Sequence, residues 1–262
     1  MKDQKNNLRV TLIQPTIIWE DIDQNLENFY NKIISISDET DLVVLPEMFT
    51  TGFSMNPEKL AEPKEGKSFK WMQRTAAENN IVLTGSMIII ENGNYYNRLF
   101  VVYPEGHYKI YDKRHLFRMG EENKHYTSGQ KRMIFTINQW RILPLICYDL
   151  RFPVWSRNRN DYDVLLYIAN WPEVRNQVWR TLLMARAIEN QAFVVGVNRI
   201  GTDGQEISYS GDSMAIDAKG NILSNIAPHQ ESAETISLSL DDLNQFRKNF
   251  PVNKDADEFV IK

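Results

Sequence analysis

Two rhythms of apolar and polar positions run along this chain. Short apolar runs bounded by turn residues read as strands: Arg9-Val10-Thr11-Leu12-Ile13-Gln14, then Leu42-Val43-Val44-Leu45, Ile81 to Ile90, and Tyr95 to Tyr103 with Tyr108 to Tyr111. Between them the period changes to that of a helix. From about Asp21, the residues Ile22, Leu26, Phe29, Ile33 and Ile36 recur four and three apart, and a second helix is predicted over Ser68 to Asn79 with Ser68 as its cap. Asn92-Gly93 and Pro104-Glu105-Gly106 mark tight turns. Phe117 to Gly129 is polar and irregular and reads as a long loop. Met133 to Ile137, Arg141 to Ile146 and Asp163 to Ala169 are the next strands. Glu173 to Ala192 is a helix whose predicted stripe is Val174, Val178, Leu182, Ala185 and Ile188. Phe193 to Asn198, Asp212 to Asp217, Ile222 to Ile226 and Thr235 to Leu238 complete the strands, and Leu240 to Phe246 is a short last helix. Strands alternating with helices from end to end, with no linker or repeat, argue for a layered α/β fold in one domain, 1–262.

Composition narrows the class. The chain is 42% hydrophobic and 24% charged with a formal net charge of -4, so no basic face is expected for nucleic acid. No apolar run is long enough to span a bilayer. The start, Met1 to Asn7, is polar and lacks the apolar core of a secretory signal. One cysteine cannot form an intrachain disulfide, which points to a reducing, cytoplasmic setting.

That cysteine, Cys147, follows the apolar run Pro144-Leu145-Ile146 and precedes a polar, turn-forming stretch. Glu47 follows Val43-Val44-Leu45-Pro46, and Lys113 follows Tyr108-Lys109-Ile110-Tyr111-Asp112. All three therefore stand at the carboxyl ends of predicted strands, where side chains of layered α/β folds converge on a ligand. Each alone reads as a core thiol, a surface acid or a solvated base; the coincidence of placement makes them a site. The types also suit one another. A thiol needs a base or cation nearby to react at neutral pH, a carboxylate can take its proton, and an ammonium can hold a developing oxyanion.

The blocks Leu45-Pro46-Glu47-Met48-Phe49, Tyr111-Asp112-Lys113-Arg114-His115-Leu116-Phe117 and Ile146-Cys147-Tyr148-Asp149-Leu150-Arg151-Phe152-Pro153 resemble the signature blocks of the nitrilase superfamily of carbon–nitrogen hydrolases. The resemblance continues in order through Ala169-Asn170-Trp171-Pro172, Ala185-Arg186-Ala187-Ile188-Glu189-Asn190-Gln191, Val197-Asn198-Arg199-Ile200-Gly201 and Gly211-Asp212-Ser213-Met214. It implies a four-layer α-β-β-α sandwich that pairs into a homodimer, and a catalytic triad of Glu47, Lys113 and Cys147. It also implies a second glutamate in the loop after the lysine. Glu121 and Glu122 are both candidates; counting back from Ser128-Gly129 favours Glu122. Phe117 to Glu121, the Cys147 block and the tail from Phe250 look like the ω-amidase branch. Its members release ammonia from 2-oxoglutaramate and 2-oxosuccinamate through a cysteine thioester, and it is associated with methionine salvage.

A substrate ending in a carboxylate needs a cation. Arg151, four residues after Cys147, is the candidate, with an ion pair to Asp149 as its structural alternative. Tyr148 is expected to offer its backbone N–H, and Trp171 and Phe117 to be apolar walls. Other readings remain open. Deaminated glutathione, an N-carbamoyl amino acid or a nitrile are alternative substrates, and a non-catalytic binding protein of the same fold is a further one. A cysteine peptidase would use a histidine, with His115 the nearest in sequence to Lys113. No Cys/His pair has metal-ligand spacing, so neither a metal nor another cofactor is expected.

Overall fold

Alternation along the strands decides the layering. In the computed structural model, which describes residues 6–36 and 39–261, β1 (Asn7–Gln14) turns Leu8, Val10 and Leu12 to one side and Ile13 to the other. Most of the polar lead read at residues 1–7 lies outside the described residues. Helix α1 (Ile22–Ile34) starts where Asp21 accepts a hydrogen bond from the Gln24 N–H and buries Leu26, Phe29 and Ile33, with Ile36 packing beyond its end. Strand β2 (Leu42–Val44) pairs parallel with β1, Val10 opposite Leu42. After α2 (Pro57–Leu60) and the short β3 (Glu62–Pro63) comes α3 (Lys67–Asn79). Gly66, not Ser68, caps α3: Ser68 lies inside the first turn and its N–H is taken by the Glu62 carboxylate. β4 (Val82–Glu91), β5 (Asn94–Val102) and β6 (Tyr108–Asp112) follow. The β4–β5 hairpin closes through Asn92 and Gly93, both at positive φ, as the Asn-Gly signal requires. The stretch read as one irregular loop holds a helical turn at Arg118–Gly120 and α4 (Glu122–His125).

The second half builds the second sheet. β7 (Phe135–Ile137), β8 (Trp140–Ile146), α5 (Pro153–Ser156), β9 (Val164–Ala169), α6 (Asn176–Asn190), β10 (Phe193–Asn198), the small pair β11 (Ile200–Thr202) and β12 (Ser208–Ser210), and β13 (Met214–Ile216) come in order. β14 (Ser232–Ser239) returns to pair antiparallel with β1, and α7 (Leu240–Asn249) follows it. Residues 222–226, expected as a strand, make only one bridge, Ile216 to Ile222. Among the described residues the first sheet runs β14-β1-β2-β4-β5-β6 with β3 beside β4, and the second runs β13-β10-β9-β8-β7.

The sheets face each other. Leu8, Val10, Leu12, Leu42, Val44, Leu99 and Val101 pack with the second sheet, whereas Ile13, Val43, Leu83, Phe100 and Val102 pack under α1 and α3. Each fully buried side chain of this kind contributes roughly 1.5–3 kcal/mol, enough for the alternation to set which face is inside. Helix α6 covers the far side of the second sheet through Trp179, Leu183 and Ala187, giving the four-layer α-β-β-α order. The predicted stripe of α6 is one position out of phase: Val174 and Ile188 are exposed. The reason lies in β10. A Cβ on Gly196 would come within 2.5 Å of Leu183 Cδ1, so the helix seats at the glycine and the faces beside it stay open.

The central strands β1, β2 and β4, and β8, β9 and β10, are parallel neighbours. Their carboxyl ends therefore share an edge within each sheet, and β6, antiparallel to β5, points the same way as β4.

Candidate active site

Glu47 stands in the turn after β2, where Ser86 of β4 fixes the next two residues: its hydroxyl accepts from the Met48 N–H at 2.9 Å and its carbonyl from the Phe49 N–H at 3.0 Å. Lys113 is the first residue beyond β6. Its N–H donates to the Asn97 carbonyl at 3.0 Å, and its own carbonyl accepts from the Gly129 N–H at 2.8 Å. Gly129 is obligatory there, since a Cβ would sit 2.1 Å from the Asp112 oxygen. This contact closes the 117–129 segment back onto the lysine and brings Glu122 inward. Cys147 follows β8 directly, at φ +46, a left-handed conformation that a non-glycine residue adopts only when its surroundings impose it.

The charged groups meet in a dry cluster. The Lys113 ammonium lies 2.8 Å from Glu47 Oε1 and 3.0 and 2.9 Å from the two oxygens of Glu122, and all three side chains have no solvent exposure. Asn97 Nδ2 donates to both carboxylates, at 2.8 Å to Glu47 and 3.3 Å to Glu122. The Asn170 N–H donates to Glu47 Oε2 at 2.8 Å, and the Phe117 N–H to Glu122 Oε2 at 2.6 Å. Glu121 instead turns outward to Lys124 at 2.5 Å, so Glu122 is the glutamate that joins the cluster.

Electrostatics follow from two carboxylates sharing one ammonium. Burial works against the Lys113 charge, but Glu122 and Glu47 more than offset it and hold its pKa above the ordinary lysine value. Burial, with Glu47 added, raises Glu122 despite Lys113. Burial and the Glu47 charge push the Cys147 thiol well above the usual cysteine range, with Lys113 opposing. Burial and the neighbouring Glu47 thus favour the neutral form of the Cys147 thiol.

Asp149 links the two halves of the site. This buried carboxylate accepts from the Ile146 N–H at 3.0 Å and the Tyr111 hydroxyl at 2.7 Å through one oxygen, and from the His115 N–H at 3.0 Å and Nδ1 at 2.7 Å through the other. It thus ties the residue before Cys147 to the strand that ends at Lys113. His115 holds Asp149 through Nδ1, stacks on the Phe152 ring at 3.8 Å and is not among the residues lining the cavity beside Cys147, and Asp149 bonds these donors rather than Arg151.

Cys147 opens into a cavity of about 720 Å³. Phe117, Tyr148, Arg151 and Trp171, the expected substrate contacts, all line it. The Arg151 guanidinium lies 5.3 Å from the Trp171 ring centre, and the Phe53 ring covers the Lys113 ammonium at 5.1 Å. Asn97, Asn170 and Arg175 went unread in the sequence. Asn97 had a signal, a polar residue within the strand Tyr95 to Tyr103, and Asn170 stood in a quoted block without a role. Others of those blocks are supports: Asn198 Oδ1 accepts from the Trp171 N–H at 2.8 Å, and Ser213 in turn hydrogen-bonds the Asn198 backbone. Among the described residues no three His, Cys, Asp or Glu side chains gather as a metal site.

The chain is 45% identical over 254 residues to Omega-amidase YafV of Escherichia coli (strain K12), covering 97% of this chain and 98% of that protein. It is 31% identical over 251 residues to the 2-oxoglutaramate amidase of Bacillus subtilis (strain 168), covering 94% and 96%. The crystal structure of XC1258 from Xanthomonas campestris, a CN-hydrolase superfamily protein with an arsenic adduct in its active site, superposes with a TM-score of 0.94 at 41% identity, covering 98% and 99% of the two chains. The family model described as carbon-nitrogen hydrolase matches residues 9–248, and with relatives this similar over nearly its full length, the chain belongs to the carbon–nitrogen hydrolase family.

Proposed function

We propose that this chain is an ω-amidase, which hydrolyses the terminal amide of 2-oxoglutaramate or 2-oxosuccinamate to the dicarboxylic oxo acid and ammonia. One arrangement carries the reading: a thiol opens into a cavity holding arginines, with Glu47, Lys113 and Glu122 sealed behind it. The similarity to Omega-amidase YafV and to a 2-oxoglutaramate amidase supports the choice of amide.

In this reading Glu47 takes the Cys147 proton as sulfur attacks the amide carbonyl. Lys113, with two of its three N–H groups engaged by Glu47 and Glu122, donates a hydrogen bond through the third to the oxyanion, beside the Tyr148 backbone N–H. Collapse of the adduct breaks the C–N bond, and Glu47 passes its proton to the departing nitrogen, releasing ammonia and leaving a thioester on Cys147. Water then loses a proton to Glu47 as it attacks, and collapse of the second adduct expels the acid and returns the proton to sulfur. Glu122 keeps Lys113 in place. Arg151 anchors the substrate carboxylate, and Trp171 and Phe117 wall its carbon chain.

The test is ammonia release from 2-oxoglutaramate, glutamine, an N-carbamoyl amino acid and a nitrile. The oxo-acid amide is expected to have the highest kcat/KM; a higher value for any of the others overturns the reading. The finer picture is a cytoplasmic homodimer acting in methionine salvage, with no nucleic-acid or membrane partner. Its supports are the lone cysteine, the net charge of -4, the absence among the described residues of a helix long and apolar enough to cross a membrane, and the family resemblance. Sedimentation at twice the chain mass of 30.6 kDa is expected; a monomer removes the dimer from it.

A further inference from the structure

Arg175 is a half-buried cation in the wall of the same cavity, at the end of the helical turn Glu173–Arg175 that leads into α6. Its guanidinium lies 5.4 Å from the centre of the Phe117 ring. Its carbonyl accepts from the Trp171 indole N–H at 2.9 Å, so Arg175 also fixes the ring on which Arg151 lies. Among the described residues neither arginine has an ion-pair partner, although acids are close at hand.

Each of those acids is already engaged. Glu20 accepts from the Ser54 hydroxyl at 2.7 Å and from Lys59 at 3.2 Å. Glu121 pairs with Lys124. Asp203 accepts from the Tyr209 hydroxyl at 2.7 Å and from the N–H groups of Gln205 and Ile207 at 2.8 and 3.0 Å. The cavity wall thus offers two guanidinium forks resting on aromatic faces and no free carboxylate. The two free forks attract an anion, whereas the three carboxylates of the wall keep their charge but are already held by other donors.

We propose that Arg175 is a specificity-determining residue: with Arg151 it receives the carboxylate at the end of the substrate remote from the scissile amide. The cavity then selects amides whose far end is an anion with no neighbouring ammonium. This deepens the ω-amidase reading and rests on it for the identity of the amide.

The experiment compares the wild type with Arg175→Gln and Arg175→Lys on 2-oxoglutaramate, glutamine and a neutral short-chain amide, with kcat and KM separated. Arg175→Gln is expected to lose kcat/KM on 2-oxoglutaramate by on the order of tenfold more than on the neutral amide, mostly through KM, as loss of a charged hydrogen bond predicts. Arg175→Lys keeps the charge without the planar fork and is expected to recover only part of the loss. The preference of the wild type for the oxo acid over glutamine is expected to shrink in Arg175→Gln. Equal losses on the anionic and neutral amides assign Arg175 a purely structural role and overturn the proposal, as does an unchanged KM. Should the wild type prefer another anionic amide, such as an N-carbamoyl amino acid, the ω-amidase reading fails while Arg175→Gln on that amide still decides the role of Arg175. A wild type that prefers neutral amides overturns both.

Discussion

The reactivity of the site rests on a few protons in a dry place. Glu47 has both oxygens occupied, Oε1 by Asn97 and Lys113 and Oε2 by the Asn170 N–H, so its carboxylate is held still, as the proposed proton exchange with sulfur requires. Glu47→Gln keeps the shape and removes the base. Ammonia release is expected to fall by roughly 100- to 10,000-fold; retention of a tenth or more of the wild-type rate would falsify the base assignment. The thiol makes a second prediction. With burial and Glu47 both raising its pKa, no thiolate absorbance is expected to develop below pH 9.0, the ordinary cysteine value, in the substrate-free enzyme. A thiolate already present at neutral pH contradicts the proton transfer proposed for the attack.

At the level of the elements, the site depends on how two strand ends from different sheets are held together. Asp149 does this with four accepted hydrogen bonds, two from the strand carrying Lys113 or just beyond it, one from the histidine ring and one from the residue before Cys147. Asp149→Asn turns an amide N–H₂ toward groups that are themselves donors. A stability loss of about 1–3 kcal/mol is expected in denaturant melts. The kcat of the folded fraction should also fall while KM changes little; a kcat that drops only in step with unfolding assigns Asp149 to stability alone. Gly129→Ala tests the other strand end. Its Cβ collides with the Asp112 carbonyl, so the segment carrying Glu122 must shift, and roughly 1–3 kcal/mol of stability is expected to go with part of the activity. A variant as stable and active as the wild type shows that the segment closes without that contact.

For the chain as a whole, Asp163 joins the C-terminal helix to the second sheet: it receives Arg141 of β8 at 2.7 Å and Arg247 of α7 at 2.7 Å. Burial opposes its charge, but the two arginines overcome that and hold its pKa below the ordinary 3.8. A depressed carboxylate stabilises the fold above its unfolded pKa, and that stability is lost as pH falls through the folded value. Asp163→Asn is therefore expected to lower the melting temperature at neutral pH and to narrow the gap to the wild type below pH 3.8; a gap independent of pH removes the linkage. Most of the strands and helices, and the placement of Glu47, Lys113 and Cys147 at strand ends, were legible in the linear order, because period and turn chemistry are local properties of the backbone. The capping of α3 by Gly66, the phase of α6 and the helical turns after Lys113 were not, since each was settled by a packing partner outside its own element, which the period of that element does not encode: Glu62 beneath Ser68, Gly196 beneath Leu183, Lys113 beneath Glu122. The same holds for the site's supports. Glu47 meets Asn97 and Asn170 across separations of 50 and 123 residues, and no periodicity encodes which polar side chains will share one buried charge. Residue types and their order carried the chemistry; packing two sheets face to face chose the partners, because only there does exclusion of water make every unpaired polar group costly.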